Sequence, residues 1–416
     1  PALHLSRAQP SAALREQGRG ASSGQARVRM NALLVVGQVA LSLLLLIGAG
    51  LLLRSFQRLL RVDPGFDAHS VLTMEVSLPT VKYARPEKQI AFFDEALRRV
   101  SSLPGVRSAA ISAALPLSWK RITPLLPEGQ PDLPLAQRPF LDIEAISPHW
   151  FATLRVPLRV GRDFSAADNA QAPKVVIVNQ TFARRFWPGQ NAIGKHVIVG
   201  RWPQPAQVVG VAADIKNRGL ARDAQPQVYI PFPQLPWGDM NLLVRTKVAP
   251  LSLAPAVRSQ ISAVDPDQPV TDVRTVDDLM DTSRAQPRFT MLLLGVFAAA
   301  ALALAVIGIY GLLAYSVAQR QHELGIRVAL GAERDDILRL VVRQGMALAL
   351  AGIGVGLFAA LLLTGLMSSL LFRIGARDLT TFALAPALFL AVALLASYLP
   401  ARRATRTDPM DALRGY

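Results

Sequence analysis

The sequence predicts an α-helical membrane protein of four transmembrane helices, with one α+β domain inserted between the first and second. Three observations predict it. Four stretches, residues 30–53, 289–319, 344–372 and 379–401, contain no Asp, Glu, Lys or Arg. The 416-residue chain is 51% hydrophobic yet carries 45 Lys and Arg against 29 Asp and Glu, a pairing that suits a membrane protein with basic residues gathered at one face of the bilayer. Between the first two stretches, residues 62–287 show strand and helix patterns in succession.

Residues 1–29 read as a basic linker bearing Arg7, Arg15, Arg19, Arg27 and Arg29. Each uncharged stretch exceeds the roughly 20 residues that cross about 30 Å of hydrocarbon as a helix. The first, with ALLVVGQVALSLLLLIGAGLLL, is apolar on every face, unlike an amphipathic helix of a soluble domain. It is too long for a cleaved signal peptide. Arg54, Arg58 and Arg61 follow at helical spacing, so transmembrane helix 1 and an amphipathic stalk are expected over 30–61.

Residues 62–287 carry 25 Lys and Arg against 21 Asp and Glu. Most of the formal charge of +16 therefore lies on the tails, the flanks of the spans and one short loop. A nucleic-acid binder concentrates basic residues on its folded domain, so no nucleic-acid partner is expected. The chain has no cysteine, which excludes disulfides, thiolate metal sites and a Cys nucleophile.

Within this domain VLTMEVSL (71–78) alternates as a strand, 86–102 has helical periodicity with Pro86 at its start, and 107–113 is a strand. The order repeats as strand 241–248, helix 251–264 and strand 270–276. Two strand–helix–strand units predict a split ferredoxin-like layer. Residues 116–238 form a β-rich insertion, with strands at 140–146, 174–179, 195–200, 206–212 and 227–231 and a short helix at 180–187. Asp277, Asp278 and Asp281 read as a solvated turn before the second span.

Several motifs are decoys. Gly189 to His196 reads GQNAIGKH, but a phosphate-binding loop needs Ser or Thr where His196 stands and a strand before the first glycine. A β-turn leading to a strand is expected instead. Asn179-Gln180-Thr181 matches a glycosylation acceptor, a pattern common by chance. His4, His69, His149, His196 and His322 show no metal-ligand spacing. No catalytic residue, metal site or cofactor is expected, and the chain is read as no enzyme. No Asp, Glu, Lys or His lies deep in a span, which counts against ion-coupled transport. Gly308, Gly311, Gly352 and Gly356 sit among small residues and are read as helix-packing positions in lipid.

Lys and Arg in short segments set the orientation. Arg320, Arg327 and Arg334 follow the second span, and Arg402, Arg403, Arg406 and Arg414 follow the last, whereas the 373–378 loop has only Arg373 and Arg377. Both tails and the 320–343 loop are expected on the cytoplasmic side of a bacterial inner membrane, with residues 62–287 in the periplasm. The two ends of the chain also match. Pro1, Ala2, Arg7, Pro10, Ala13, Leu14 and Arg15 equal Pro400, Ala401, Arg406, Pro409, Ala412, Leu413 and Arg414. This register predicts a duplicated protein of which the chain is the second half, with an upstream four-span repeat as its partner.

The loop QRQHELGIRVALGAERDDILRL places a compact amphipathic turn, Glu323-Leu324-Gly325-Ile326-Arg327, before a break at Gly331-Ala332. It reads either as an interfacial segment on lipid or as a helix docked into a cytoplasmic motor. With E-L-G-I-R-x-A-L-G-A, the long domain after the first span and the terminal P-A-R-R-A-x-x-x-x-P-x-x-A-L-R, the sequence resembles the MacB/FtsX-type permeases of ABC transporters over nearly its whole length. The resemblance implies that Glu323 to Ala332 contact an ATPase subunit, that 62–287 is a MacB-core-like domain and that 288–416 is an FtsX-like permease domain. It implies a permease that couples ATP hydrolysis to movement of the outer domain. The alternative it implies is an FtsX-like regulator of a periplasmic partner such as a cell-wall hydrolase. The sequence departs from MacB in lacking an N-terminal ATPase domain, so a separate ATPase is the expected partner.

Overall fold

The chain enters as one long helix, α1 (Gly20–Leu60), which carries the first apolar stretch and runs on through Arg54 and Arg58. Arg58 stands in its last turn, where the carbonyl end of the helix dipole favours a cation. The computed structural model describes residues 20–118, 121–200, 202–319, 333–365, 375 and 378–404. It divides into two units, Pro1–Arg58 with Pro287–Tyr416, and Leu59–Gln286.

In the second unit the linker after α1 turns at Gly65, whose φ is +81° and whose absent Cβ leaves room for the Asp214 carbonyl oxygen. Only glycine meets both demands. Strand β1 (Val71–Ser77), helix α2 (Pro86–Ser101) and strand β2 (Val106–Ser112) follow. Helix α2 forms because Pro86 fixes the first turn, Glu87 faces the amide end and Arg98 and Arg99 face the carbonyl end. It buries Phe92, Phe93, Ala96 and Val100. Phe92 and Phe93 meet edge to face at 5.2 Å, and burying each ring stabilises the fold by about 1.5–3 kcal/mol.

The chain then makes β3 (Arg121–Pro127), β4 (Phe140–Ile146), helix α3 (Trp150–Leu154), β5 (Leu158–Gly161) and β6 (Val175–Asn179). Helix α4 (Gln180–Phe186), β7 (His196–Val199), β8 (Ala206–Ala212) and β9 (Gln227–Pro231) complete this part. It returns through β10 (Asp239–Thr246), helix α5 (Ala254–Val264) and β11 (Val270–Thr275).

Strands β11, β1, β10 and β2 lie in that order and pair antiparallel throughout, which is the ferredoxin-like arrangement the two strand–helix–strand units predicted. Leu72, Met74 and Val76 of β1 and Met240, Leu242 and Val244 of β10 share one core with α2 and α5. From β2 the ladder passes to β4 through one residue pair, Ser112 with Ile146. Beyond it, β4, β3, β7, β8, β6 and β9 pair in sequence, and β9 pairs back onto β4. The second part of the sheet is therefore a closed six-stranded ring around a core that includes Leu125, Ile143, Val178, Val208 and Val228.

Strands β3 and β5 and helix α3 lie outside the expected elements. Helix α3 is flanked by left-handed residues, His149 at φ 67° and Arg155 at φ 54°. Burial of Trp150, Phe151 and Leu154 holds it in place, with the ion pair of Arg155 to Asp67 at 2.8 Å. Arg245 of β10 braces the same region. Its guanidinium donates to the carbonyl oxygens of Thr153 (2.6 Å), His69 (2.8 Å) and Asp67 (2.7 Å). Burial alone would raise the Asp67 carboxyl, but the His69 N–H and the charges of Arg245 and Arg155 hold it below its ordinary value.

Helix α6 (Val276–Gln319) carries the second apolar stretch. Thr275 and Asp278 cap it reciprocally: Asp278 Oδ2 accepts from the Thr275 N–H at 2.8 Å, and Thr275 Oγ1 accepts from the Asp278 N–H at 3.1 Å. This corrects the expected turn, since Asp277, Asp278 and Asp281 lie in the helix, with Asp277 and Asp278 in its first turn, where their charge faces the amide end. Helix α7 (Arg334–Leu363) and helix α8 (Leu379–Ala404) hold the third and fourth stretches as far as the described residues extend. All four helices are long and apolar enough to cross a membrane.

Asp265, after α5, ties the α2 side of the ferredoxin-like layer together. It accepts from Lys82 Nζ at 2.7 Å, Tyr83 OH at 2.7 Å and Gln268 Nε2 at 3.0 Å. The Lys82 and Tyr83 bonds hold its carboxyl well below the usual carboxylate range, and burial with the same carboxylate pushes Tyr83 up to about 12. A depressed folded value means stability present above the unfolded carboxylate pKa and lost as pH falls through the folded one. Asp265→Asn is expected to speed amide exchange at Asp267 and Gln268 about tenfold at pH 7. The gap to wild type should narrow steadily below about pH 4, read by hydrogen-exchange mass spectrometry.

Candidate coupling site in the helix bundle

Helix α1 presents every fourth residue to its neighbours: Val35, Val39, Leu43, Ile47 and Leu51 are all buried. A four-residue step keeps these side chains on one slowly turning ridge. Facing residues in the same core include the small Ala305 of α6, Ala349 and Ala360 of α7, and Ala385 and Ala393 of α8, set among larger ones such as Ile309, Leu313, Ile353 and Phe389. Lipid supplies no hydrophobic drive for helices to associate, so close packing of small residues and a few hydrogen bonds must hold them. Ser42 Oγ lies 2.7 Å from both the Gln38 and Ala301 carbonyl oxygens, joining α1 to α6.

The glycines singled out for packing differ in their surroundings. A Cβ on Gly356 would come within 2.9 Å of the Ala40 carbonyl oxygen, and one on Gly308 within 2.7 Å of Gln38 Oε1. A Cβ on Gly352 would overlap the Val39 side chain. All three sit against α1. Gly311 is a correction: nothing lies within 4 Å of its Cβ position. Its three-residue step from Gly308 carries it about 60° round the helix, off the face that meets α1. Two contacts escaped the sequence reading. Gly345 fits against Ser397 and Leu313, and a Cβ on Gly50 would lie 2.9 Å from Thr381 Cγ2. Gly50 closes the small-residue run Gly48-Ala49-Gly50, a signal the sequence reading passed over, whereas the Gly345 contact is revealed by the fold.

At the Arg54 end of the seam α1 and α8 are joined by charge. Arg54 donates to Asp378 Oδ2 at 2.5 Å, and the same oxygen accepts from the Thr381 N–H at 3.0 Å and hydroxyl at 2.8 Å. Asp378 thus caps α8. Burial alone would raise its carboxyl, but Thr381 and the Arg54 guanidinium hold it below its ordinary value. The pair gives the cation that follows the first apolar stretch a partner 324 residues away.

The proposed ATPase-contacting residues Glu323, Leu324, Gly325, Ile326, Arg327, Gly331 and Ala332 lie outside the described residues. Just after them, α7 opens with Asp335 and Asp336 in its first turn, where acids complement the amide end.

The decoys resolve physically. GQNAIGKH lies between α4 and β7, with the Gly194 N–H donating to the Val208 carbonyl at 2.9 Å and the Ile193 N–H to Asn191 Oδ1 at 3.0 Å. A strand follows it, so it offers no helix amide end to a phosphate. Asn179 is 1% exposed. Its Oδ1 accepts from Phe182 N and Gln227 N, and its Nδ2 donates to the Gln225 carbonyl, so it caps α4 and is closed to a glycan. His69 approaches Asp277 at 3.2 Å and His196 approaches Glu128 at 3.1 Å. His4 and His322 lie outside the described residues. Among the described residues no group of three or more His, Cys, Asp or Glu is placed to hold a metal.

Known proteins share this sequence pattern. A family model for the MacB-like periplasmic core domain matches residues 32–264, and one for the FtsX-like permease C-terminal matches residues 295–409. The probable syringafactin export ATP-binding/permease protein SyfD of Pseudomonas syringae pv. tomato is 29% identical over 65% of this chain and 42% of its own length. The macrolide export ATP-binding/permease protein MacB of Azoarcus sp. is 29% identical over 62% of this chain and 40% of its own. The chain thus spans about two fifths of the length of these curated relatives. The crystal structure of the periplasmic region of MacB from Actinobacillus actinomycetemcomitans aligns with 54% of this chain and 97% of its own, at 15% identity and a TM-score of 0.37.

The seam makes two expectations. In a chain without native cysteine, the double variant Gly50→Cys with Thr381→Cys should cross-link α1 to α8 under mild oxidation, seen as a non-reducing gel shift that each single variant lacks. Gly356→Leu should destabilise the detergent-solubilised protein by about 1–3 kcal/mol through overpacking, whereas Gly311→Leu should leave its melting temperature within about 1 °C of wild type.

Proposed function

We propose a mechanotransmission role, on the premise that the chain belongs to the MacB/FtsX-type family of ABC-transporter permeases. In this reading cytoplasmic ATP hydrolysis moves the helix bundle, and helices α1 and α6 carry that movement to the domain of residues 62–287. One observation supports it above the others: each connection between the apolar stretches and the inserted domain is an unbroken helix, α1 through Leu60 and α6 from Val276. A helix resists compression and bending better than a loop and is suited to relaying displacement.

The orientation proposed is that of the Lys and Arg distribution, with both tails and residues 320–343 in the cytoplasm of a bacterium, residues 62–287 in the periplasm and the spans in the inner membrane. The ATPase partner docks on Glu323 to Ala332, and a second four-span unit completes the assembly. The matching segments 1–15 and 400–414 support that pairing. Two of the curated relatives are described as export ATP-binding/permease proteins, which supports export as the outcome of the movement.

The test is ATP turnover in proteoliposomes that hold the chain with its ATPase. Glu323→Lys or Gly331→Trp should lower stimulated turnover at least tenfold while membrane insertion stays intact. Stimulation equal to wild type in both variants would remove the docking assignment. Spheroplast proteolysis tests the orientation separately, because external protease should cut residues 62–287 and spare 320–343.

A further inference from the structure

We propose that the open end of the β3–β9 ring is a binding site for a small apolar carboxylate. The proposal concerns this ring alone and goes beyond the coupling role. A cleft of about 520 Å³ opens there, within the range of about 300–1,000 Å³ typical of small-molecule sites, which favour the mouths of barrels. Its floor is apolar, with Ile143, Val199 and Leu235, and its walls include the indoles of Trp202 and Trp237. Both indoles are only partly buried while packing against the core of the ring.

Charge selects the ligand. The Arg121 guanidinium, in the cleft lining, stands 4.4 Å from the Trp237 ring centroid, and the Lys174 ammonium, outside that lining, 5.3 Å from the centroid of Trp202. Among the described residues neither cation has a carboxylate partner, whereas Arg162, Arg184 and Arg218 of the same ring region are paired to Asp168, Asp214 and Asp142. Stacking engages the flat face of a guanidinium and leaves its in-plane N–H donors free. Those donors suit a carboxylate, which accepts two parallel N–H bonds. Register supports the placement. Arg121 pairs with Ile143 and Leu125 with Val199, so Arg121 lies two alternations from Leu125 on the face that lines the ring. The site therefore offers one bidentate anion hold at the rim and an indole-walled apolar slot below it. A ligand with a single carboxylate and a flat or short-chain apolar body satisfies both.

The test uses 1-naphthylacetate and its uncharged analogue 1-naphthylacetamide. Each is titrated calorimetrically into the full chain in lipid nanodiscs, with empty nanodiscs as the partition control. The expected result is saturable one-to-one binding of the carboxylate, about tenfold or more tighter than the amide, as a charge-assisted hydrogen bond provides. Arg121→Gln should bring the two ligands within about twofold of each other, and Trp237→Leu should weaken both. Arg121 is exposed and carries no ion pair among the described residues, and an unchanged circular dichroism spectrum checks that Arg121→Gln folds. No saturable carboxylate binding above empty nanodiscs overturns the proposal. So does equal affinity of acid and amide for wild type, or a carboxylate preference that survives Arg121→Gln.

Discussion

Hydrocarbon offers no partner to a backbone N–H or C=O, and the membrane-spanning part of this protein follows from that constraint. Every polar backbone group in a span must be satisfied within its own segment, which leaves the helix as the available form for a single chain crossing four times. Once the backbone is closed in this way, neighbouring helices gain little by hiding apolar side chains from an apolar solvent. What remains is close approach. The ridge Val35 to Leu51, the glycines at 308, 352 and 356 that meet α1, and the Ser42 hydroxyl between two carbonyls are the means of it. Even Pro386, inside α8, is tolerable in a span where neighbouring groups take up the freed carbonyl.

Outside the apolar stretches water returns and the rules change. The inserted domain is stabilised by burial, and a charge buried within it is held by directed hydrogen bonds. Arg245 shows how. A guanidinium that is almost wholly buried directs its donors to three carbonyl oxygens from the approach to β1 and from α3, so its desolvation is offset by directed bonds. The same residue fixes the path by which the chain arrives from α1. Beside it, β1 and β11 pair antiparallel, Leu72 opposite Thr275, so the arriving and departing segments are hydrogen-bonded directly to each other.

Much of this was legible in the sequence, and the limits of legibility are physical. An uncharged run longer than a bilayer is thick has little place in a water-soluble fold, so the four spans stood out. The two strand–helix–strand units announced themselves because the first strand alternates, its helix has one apolar face, and the same order of strand formers and helix formers recurs. Strand β3 did not, because RITPLLP holds two prolines, and proline argues against a strand unless its missing N–H is not needed. Here Pro124 only accepts, from the Gly200 N–H. Strand β5 is four residues and mostly exposed, and α3 is five residues, too short for a period to show. The Arg54–Asp378 pair and the Arg121–Trp237 stack join residues far apart in sequence, and no local pattern carries that information. The acids at 277 and 278 misled because the same composition that marks a solvated turn also marks the first turn of a helix.

Residues 113–238 leave from the end of β2 and come back at the start of β10, and those two strands are already antiparallel neighbours, with Asn241 opposite Ser112. The whole ring is thus a detour that begins and ends at one spot. A short reverse turn across that gap would leave a complete four-stranded, two-helix layer. Conversely, a different excursion could be spliced in at the same place without disturbing what lies on either side. The architecture separates a four-stranded chassis from a self-contained head, so the head can be redrawn without redrawing the strands that carry it.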